Sequence, residues 1–250
     1  MKLLFNKTVL FSIAFLVAVV CAWEIVVRTF AVPTYVLPAP SAIISSIISN
    51  LPIVLTNLET TATEAALGFI LGSGAGLCFG ILLAESKLLG RLLLPYIVGS
   101  NAVPVVAVAP LVVLWFGNGL LSKVVVSAFL CFFPLSINTY RGLSETPTVF
   151  SDLFRIYGGT RREFLLKARF PFAAPYIFTG AKLNATFAVI GAIVAEFIGA
   201  ASGLGFGMLS ATYNLDVPRL WAYLVISVAM GMVAYSLIWC VERIVNIRHE

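Results

Sequence analysis

Residues 157–180 read YGGTRREFLLKARFPFAAPYIFTG. Arg161, Arg162, Lys167 and Arg169 fall within nine residues of a chain that is only 11% charged. Pro171, Pro175 and a long apolar run follow at once. Cations gathered beside an apolar run mark the side of a membrane on which that run ends.

Outward from this loop, apolar runs recur at bilayer length. The 250 residues are 60% hydrophobic, against about 45–50% for a soluble domain, and the mean hydropathy is +1.03. A helix needs about 20 apolar residues to cross the hydrocarbon layer. Six stretches qualify, at about 9–30, 61–84, 92–116, 121–143, 174–198 and 220–241. The third holds Pro95, Pro104 and Pro110 and is expected to break, with neighbouring helices or a wet cavity satisfying the freed backbone. Residues 199–219, with Gly203, Gly205 and Gly207, read as a loop or a partly re-entrant piece. The expected fold is all-α, a polytopic transmembrane helix bundle of about six spans.

Orientation follows from the cations. With the N-terminus in the cytoplasm, twelve of the sixteen Lys and Arg lie inside. Only Arg28, Lys123 and Arg219 lie outside, and Lys182 falls within a span. That asymmetry fits an even number of crossings and places both termini in the cytoplasm. The net charge of +5 therefore reports topology rather than nucleic-acid binding, which needs a basic face on a soluble fold. The partner it implies is the lipid bilayer, whose anionic head groups are drawn weakly to the inner rim. Lys2, Lys7 and Cys21 invite a cleaved-signal reading, but Val20 is not the small residue that cleavage requires, and the apolar run is too long. Cys21, Cys78, Cys131 and Cys240 each sit alone in a span, and His249 is the single histidine. This spacing predicts neither disulfide nor metal site, and the cysteines read as small core hydrophobes.

Inside the spans, Gly68, Gly72, Gly76 and Gly80 recur every fourth residue. That stripe lets a second helix backbone approach closely. Glu196 in VAEFIGA lies near the outer end of the fifth span. It reads either as a pathway group or as a carboxylate paired at the helix end. Asn101 and Asn138 are polar groups within spans that either bond across helices or face a solute. Lys182 is expected to snorkel to the cytoplasmic rim, and Glu24, Arg28, Glu59 and Glu64 to act as interfacial anchors. No catalytic set is present: there is no HExxH, GxSxG or phosphate-binding GxxxxGK[ST]. Any ATP-driven step therefore needs a nucleotide site on another chain.

The loop 144–172 also carries Asp152 and Glu163. In TRREFLLKA, Thr160 followed three residues later by Glu163 predicts a capped helix of about two turns. Phe164, Leu165 and Ala168 fall on one face, with Arg161, Arg162 and Arg169 largely on others. Such a segment either docks into a partner's groove or lies on the lipid surface.

Asp152, Gly158 six residues on and Pro171 thirteen beyond that resemble the cytoplasmic EAA loop of ABC-importer permeases. YVLPAPSAI (35–43), AVPVVAVAPLVVLWFGNGLLSK (102–123), FFPLSINT (132–139), FPFAAPYIFTGAK (170–182) and VAEFIGAASGLGFGML (194–209) resemble that family's nitrate/sulfonate/taurine branch. The likeness covers nearly the whole chain. It departs at Leu153 and Phe154, where the family has alanines, and at Ala168. The resemblance implies a type I ABC importer permease fold. Its parts would be an N-terminal span and extracytoplasmic segment (1–56), a permease core (57–243) with coupling loop 144–172, and a cytoplasmic tail (244–250). It implies a multi-pass protein of the cell inner membrane, paired with a second, identical permease. Two ABC ATPase subunits would hold ATP and Mg, this chain would carry no cofactor, and an extracytoplasmic binding protein would deliver the solute. Phe164 would then fill a cleft in the ATPase, with Arg161, Arg162 and Glu163 at its rim. Gly158 would allow the turn and Pro171 would end the loop. The branch members most similar in text carry the hydroxymethylpyrimidine precursor of thiamine, or riboflavin; sulfonate, taurine or nitrate is the alternative. An ion-coupled secondary transporter would instead need inverted repeats and midplane ionisable groups.

Overall fold

The computed structural model describes residues 2–100 and 102–246, among which there are helices and no strand. In chain order they are α1 (Lys2–Thr29), α2 (Pro40–Ser49), α3 (Leu51–Glu85), α4 (Lys87–Ser100), α5 (Val105–Phe116) and α6 (Leu120–Ser144). Then come α7 (Thr148–Ile156), α8 (Arg161–Phe164), α9 (Phe170–Gly199), α10 (Leu204–Tyr213) and α11 (Val217–Asn246). Five helical runs are long and apolar enough to cross a membrane, and the pair α4 and α5, bent by 96°, makes a sixth candidate. Both ends of α3, α6 and α9 can be told apart by the loop 145–169. We call the end that carries it the loop end and the opposite end the far end.

Three expectations are corrected. First, α3 begins ten residues before the apolar stretch at 61, and runs unbroken across 56/57. Its polar start is tolerated because Thr56, Thr60 and Thr63 donate to carbonyls of their own helix at 2.8–3.1 Å. Second, Pro104 alone sits at the break, as the N-cap of α5, while Pro95 and Pro110 ride inside α4 and α5. Third, Pro171 does not end the loop. Helix runs continuously from Arg161 to Gly199, through a π-turn at Leu165–Arg169. A wide turn just ahead of a proline accommodates the missing N–H without breaking the run.

The glycine stripe sets the core. A Cβ on Gly68 would lie 2.1 Å from Ser127 Oγ, on Gly72 2.2 Å from Ala128 O, and on Gly76 2.5 Å from Phe132 O. α3 therefore lies backbone to backbone on α6, where dispersion between main chains replaces side-chain packing. On the other side of α6, Gly191 of α9 would meet Ser127 Cα at 2.7 Å. The central place of α6 shows in burial: 56% of its apolar window is enclosed, against 6% for α1 and α11. Cys131 lies in this core, but Cys21, Cys78 and Cys240 are exposed, so three of the four cysteines are not core residues. Lipid is as apolar as a core, so a thiol facing outward loses nothing.

Gly72→Ala should force α3 off α6 and lower the melting temperature in detergent, with overpacking costing about 1–3 kcal/mol. Gly74→Ala, with nothing within 4 Å, should be neutral or slightly stabilising.

Candidate functional site

At the loop end, α7 is built as an amphipathic rod. Val149, Phe150, Leu153, Ile156 and Tyr157 are all exposed, and Asp152 is exposed among them. Phe154 points the other way, its ring 5.5 Å from that of Phe164. The chain then reverses at Gly158, whose φ of +70° is a left-handed conformation that glycine adopts without strain. Gly159 follows so closely that a Cβ there would lie 2.7 Å from Phe154 Cδ1.

The expected capping box is present. Glu163 N donates to Thr160 Oγ1 at 3.2 Å, and Thr160 N donates back to Glu163 Oε2 at 3.0 Å. Lys167 Nζ adds a 2.9 Å bond to the same carboxylate. Phe164, expected to face outward, is half-buried against Phe154, so the outward apolar face belongs to α7. Arg161, expected at the rim of a partner's cleft, instead donates to Glu85 Oε2 at 2.8 Å. Arg162 and Pro171 are exposed.

At the far end lies a buried polar node that sequence reasoning did not assemble. The first N–H groups of a helix have no partner within it. Here three successive ones at the start of α10 are taken by side chains. Gly203 N donates to Asn57 Oδ1 at 3.0 Å, Leu204 N to Thr61 Oγ1 at 2.8 Å and Gly205 N to Glu196 Oε2 at 2.5 Å. Thr61 Oγ1 donates to Glu196 Oε1 at 2.6 Å, and Asn57 Nδ2 to Tyr223 OH at 3.0 Å. One carboxylate thus meets the positive end of α10 and ties it to α3 and α9. Residues 199–219 are therefore a turn and a short helix fixed from three sides.

Lys123 completes the node. It is 2% exposed, and Nζ donates to Gly199 O at 2.7 Å and to Asn118 O, closing the C-terminal end of α9 with a cation. Glu64, expected at the interface, is buried beside Glu196 and Lys123. Ionisable groups are retained in such surroundings when they face one another. Glu196 is itself 1% exposed. Asn138 Nδ2 donates to Pro134 O within its own helix at 2.8 Å. Asn101 lies outside the described residues. Lys182 Nζ is paired with Glu242 of α11 at 2.8 Å. Glu24 and Arg28 do more than anchor, since Glu24 Oε2 accepts Ser41 N at 3.0 Å and so caps α2.

Asn57, Thr61, Lys123 and Tyr223 were missed because their partners are far away in sequence. One signal was available: Asn57, Thr61, Glu64 and Gly68 fall at spacings of four, three and four, on the face that carries the glycine stripe.

Residues 76–246 match the family described as binding-protein-dependent transport system inner membrane component. The chain belongs to that family. It is the permease subunit of an ABC importer. A formylaminopyrimidine transport permease protein of Halalkalibacterium halodurans is 33% identical over 231 residues, covering 92% of this chain and 92% of that one. A riboflavin transport system permease protein of Chloroflexus aurantiacus is 34% identical over 224 residues, covering 89% and 84%. Relatives named for aliphatic sulfonates and for nitrate also match. Among solved structures, a chain of the inward-facing MetNI methionine ABC transporter aligns with a TM-score of 0.69 at 19% identity. The alignment covers 79% of this permease and 98% of that chain. The type I importer permease fold follows.

In this permease Thr61 serves both Leu204 N and Glu196, so Thr61→Val should leave buried groups unpaired at a cost of about 1–3 kcal/mol each. Faster hydrogen exchange at the 203–205 amides and a lower melting temperature are expected. Thr63→Val, which removes only an exposed bond to Glu59 O, should change neither.

Proposed function

We propose that this permease is driven from the cytoplasm through loop 144–172, and that α7 is the element seated in an ABC ATPase subunit. The single observation behind this reading is the exposed face of Val149, Phe150, Leu153, Ile156 and Tyr157. An amphipathic helix of this kind lays its apolar face into a groove. Gly158 sets the reversal, Phe164 backs α7 through Phe154, and Glu163 caps α8 through Thr160. Asp152 and Arg162, both exposed, supply rim charges. ATP and Mg belong to the partner, and a binding protein on the other side delivers the solute. Both termini then face the cytoplasm in the cell inner membrane, in keeping with the cation asymmetry, and a second copy of the chain completes the pathway.

The solute in this reading is a neutral heteroaromatic of the thiamine-precursor pyrimidine type. A hollow of about 350 Å³ beside Glu196 is lined by Phe197, Phe206, Ser210, Tyr213 and Asn214, with no cation among its lining residues. Aromatic faces and an amide suit a flat, uncharged ring. Glu196 borders this route, and Asn101 and Asn138 are its other candidate groups.

Ile156→Asp places a charge in the proposed seat. The ATPase should no longer co-purify, and uptake should fall by about tenfold or more, which corresponds to about 1.4 kcal/mol. Undiminished co-purification would refute the docking role of α7. In vesicles holding ATP and supplied with the cognate binding protein, labelled hydroxymethylpyrimidine should accumulate and labelled taurine should not; the reverse would favour the anion branch.

A further inference from the structure

Two arginines of the coupling segment close on one residue at the end of another helix. Glu85, the last residue of α3, takes Arg161 Nε on Oε2 at 2.8 Å and Arg169 Nη1 on Oε1. Arg161 Nη2 donates to the main-chain oxygen of Glu85 at 2.8 Å. Arg169 Nη2 donates to Ala84 O at 3.3 Å, and its Nε to Leu143 O at 3.0 Å. Ala84, Glu85 and Leu143 are the terminal carbonyls of α3 and α6, which have no helical partner and carry the negative end of each dipole. A guanidinium holds such acceptors with five donors in a rigid planar fork, where an ammonium offers three on a flexible stem.

The π-turn explains how both arginines reach one carboxylate. Eight residues of ordinary α-helix would leave Arg169 about 80° around from Arg161. A wide turn rotates less per residue, which brings the two back toward one face. The side chains of Arg169 and Glu85 are only 13% and 24% exposed, so their attraction is screened less than that of a surface pair.

Consider what this joins. The loop is linked covalently to α6 through 145–147 and to α9 through the continuous helix. Tyr176 OH donates to Glu145 Oε2 at 2.6 Å and fastens that first connection to α9. α3 has no covalent link to the loop; its terminus is held there by Arg161 and Arg169. We propose that the Arg161–Glu85–Arg169 clamp is the joint that carries displacement of the coupling loop into α3 and α6, with Glu85 as its positioning residue. The proposal rests on the reading of 144–172 as the coupling loop. It assigns Arg161 to the permease's own frame rather than to the ATPase.

The test needs no knowledge of the solute. In the complex with its cognate ATPase, the four cysteines are replaced by alanine and Leu215→Cys is added at the far end, where Leu215 is 80% exposed. The rate of modification by a membrane-impermeant maleimide is measured with and without ATP plus vanadate. In this parent complex trapping should change the rate. Glu85→Gln should abolish that change while the ATPase still co-purifies, and Glu85→Asp should restore part of it. A full response in Glu85→Gln overturns the clamp. No response in the parent overturns the coupling reading instead. If Glu85→Gln does not assemble, Arg161→Gln leaves the Arg169 pair in place and is measured in its stead. A reduced response is then expected, and a full one is fatal to the proposal.

Discussion

The contact of α3 on α6 through Gly68, Gly72, Gly76 and Gly80 is the constraint on which the rest depends. In lipid there is no gain from hiding apolar side chains, because the solvent is as apolar as the core. Association must come from close fit and from polar groups that have nowhere else to go. A helix pair whose main chains touch, so that a Cβ on Gly72 would lie 2.2 Å from Ala128 O, supplies the fit. The polar groups are then placed at the two ends of the same pair.

At the far end, Asn57, Thr61 and Glu64 continue the face of the glycine stripe, and Asn57 and Thr61 capture the start of α10. At the loop end, Glu85 closes the same helix and captures Arg161 and Arg169. Between them Ser73 accepts Asn184 Nδ2 of α9 at 2.9 Å. α3 is thus fastened to α9 or its extensions at three levels, by hydrogen bonds that a membrane interior cannot replace with water. Lys182 and Glu242 add a fourth tie, from α9 to α11. Sub-ångström adjustments in such a body cannot be absorbed locally, because its helices are in direct main-chain contact.

How much of this was legible in the sequence depends on the range of the interaction. Local signals read correctly: the capping box at Thr160 and Glu163 and the packing stripe of α3 both lie within a few residues of their cause. The ends of α3 and α9 did not read correctly, because hydropathy sees composition and not which face a polar residue occupies. TNLETTATE at 56–64 is too polar for hydropathy to assign to a span, yet Thr56, Thr60 and Thr63 bond to their own helix, and Asn57, Thr61 and Glu64 turn inward. The node and the clamp were invisible for a different reason. Glu196 finds Thr61 across 135 positions and Arg161 finds Glu85 across 76, and no single-sequence pattern spans such distances. Pro171 misled because a proline was read as a stop, when the π-turn before it absorbs the missing donor.

That π-turn links the local and the distant. It lies at the point where the loop becomes α9, and its last residue is Arg169, one of the two arginines that hold α3. An ideal helix there would leave the Lys167 carbonyl facing the ring of Pro171 without a donor, and would turn Arg169 about 80° around the axis from Arg161. Wide turns trade good i→i+4 bonding for a change of register, and they recur where a side chain must be re-aimed. Here the re-aimed side chain joins the carbonyl ends of α3 and α6. The irregularity therefore meets two demands at once, the missing donor of Pro171 and the meeting of three helices at one joint.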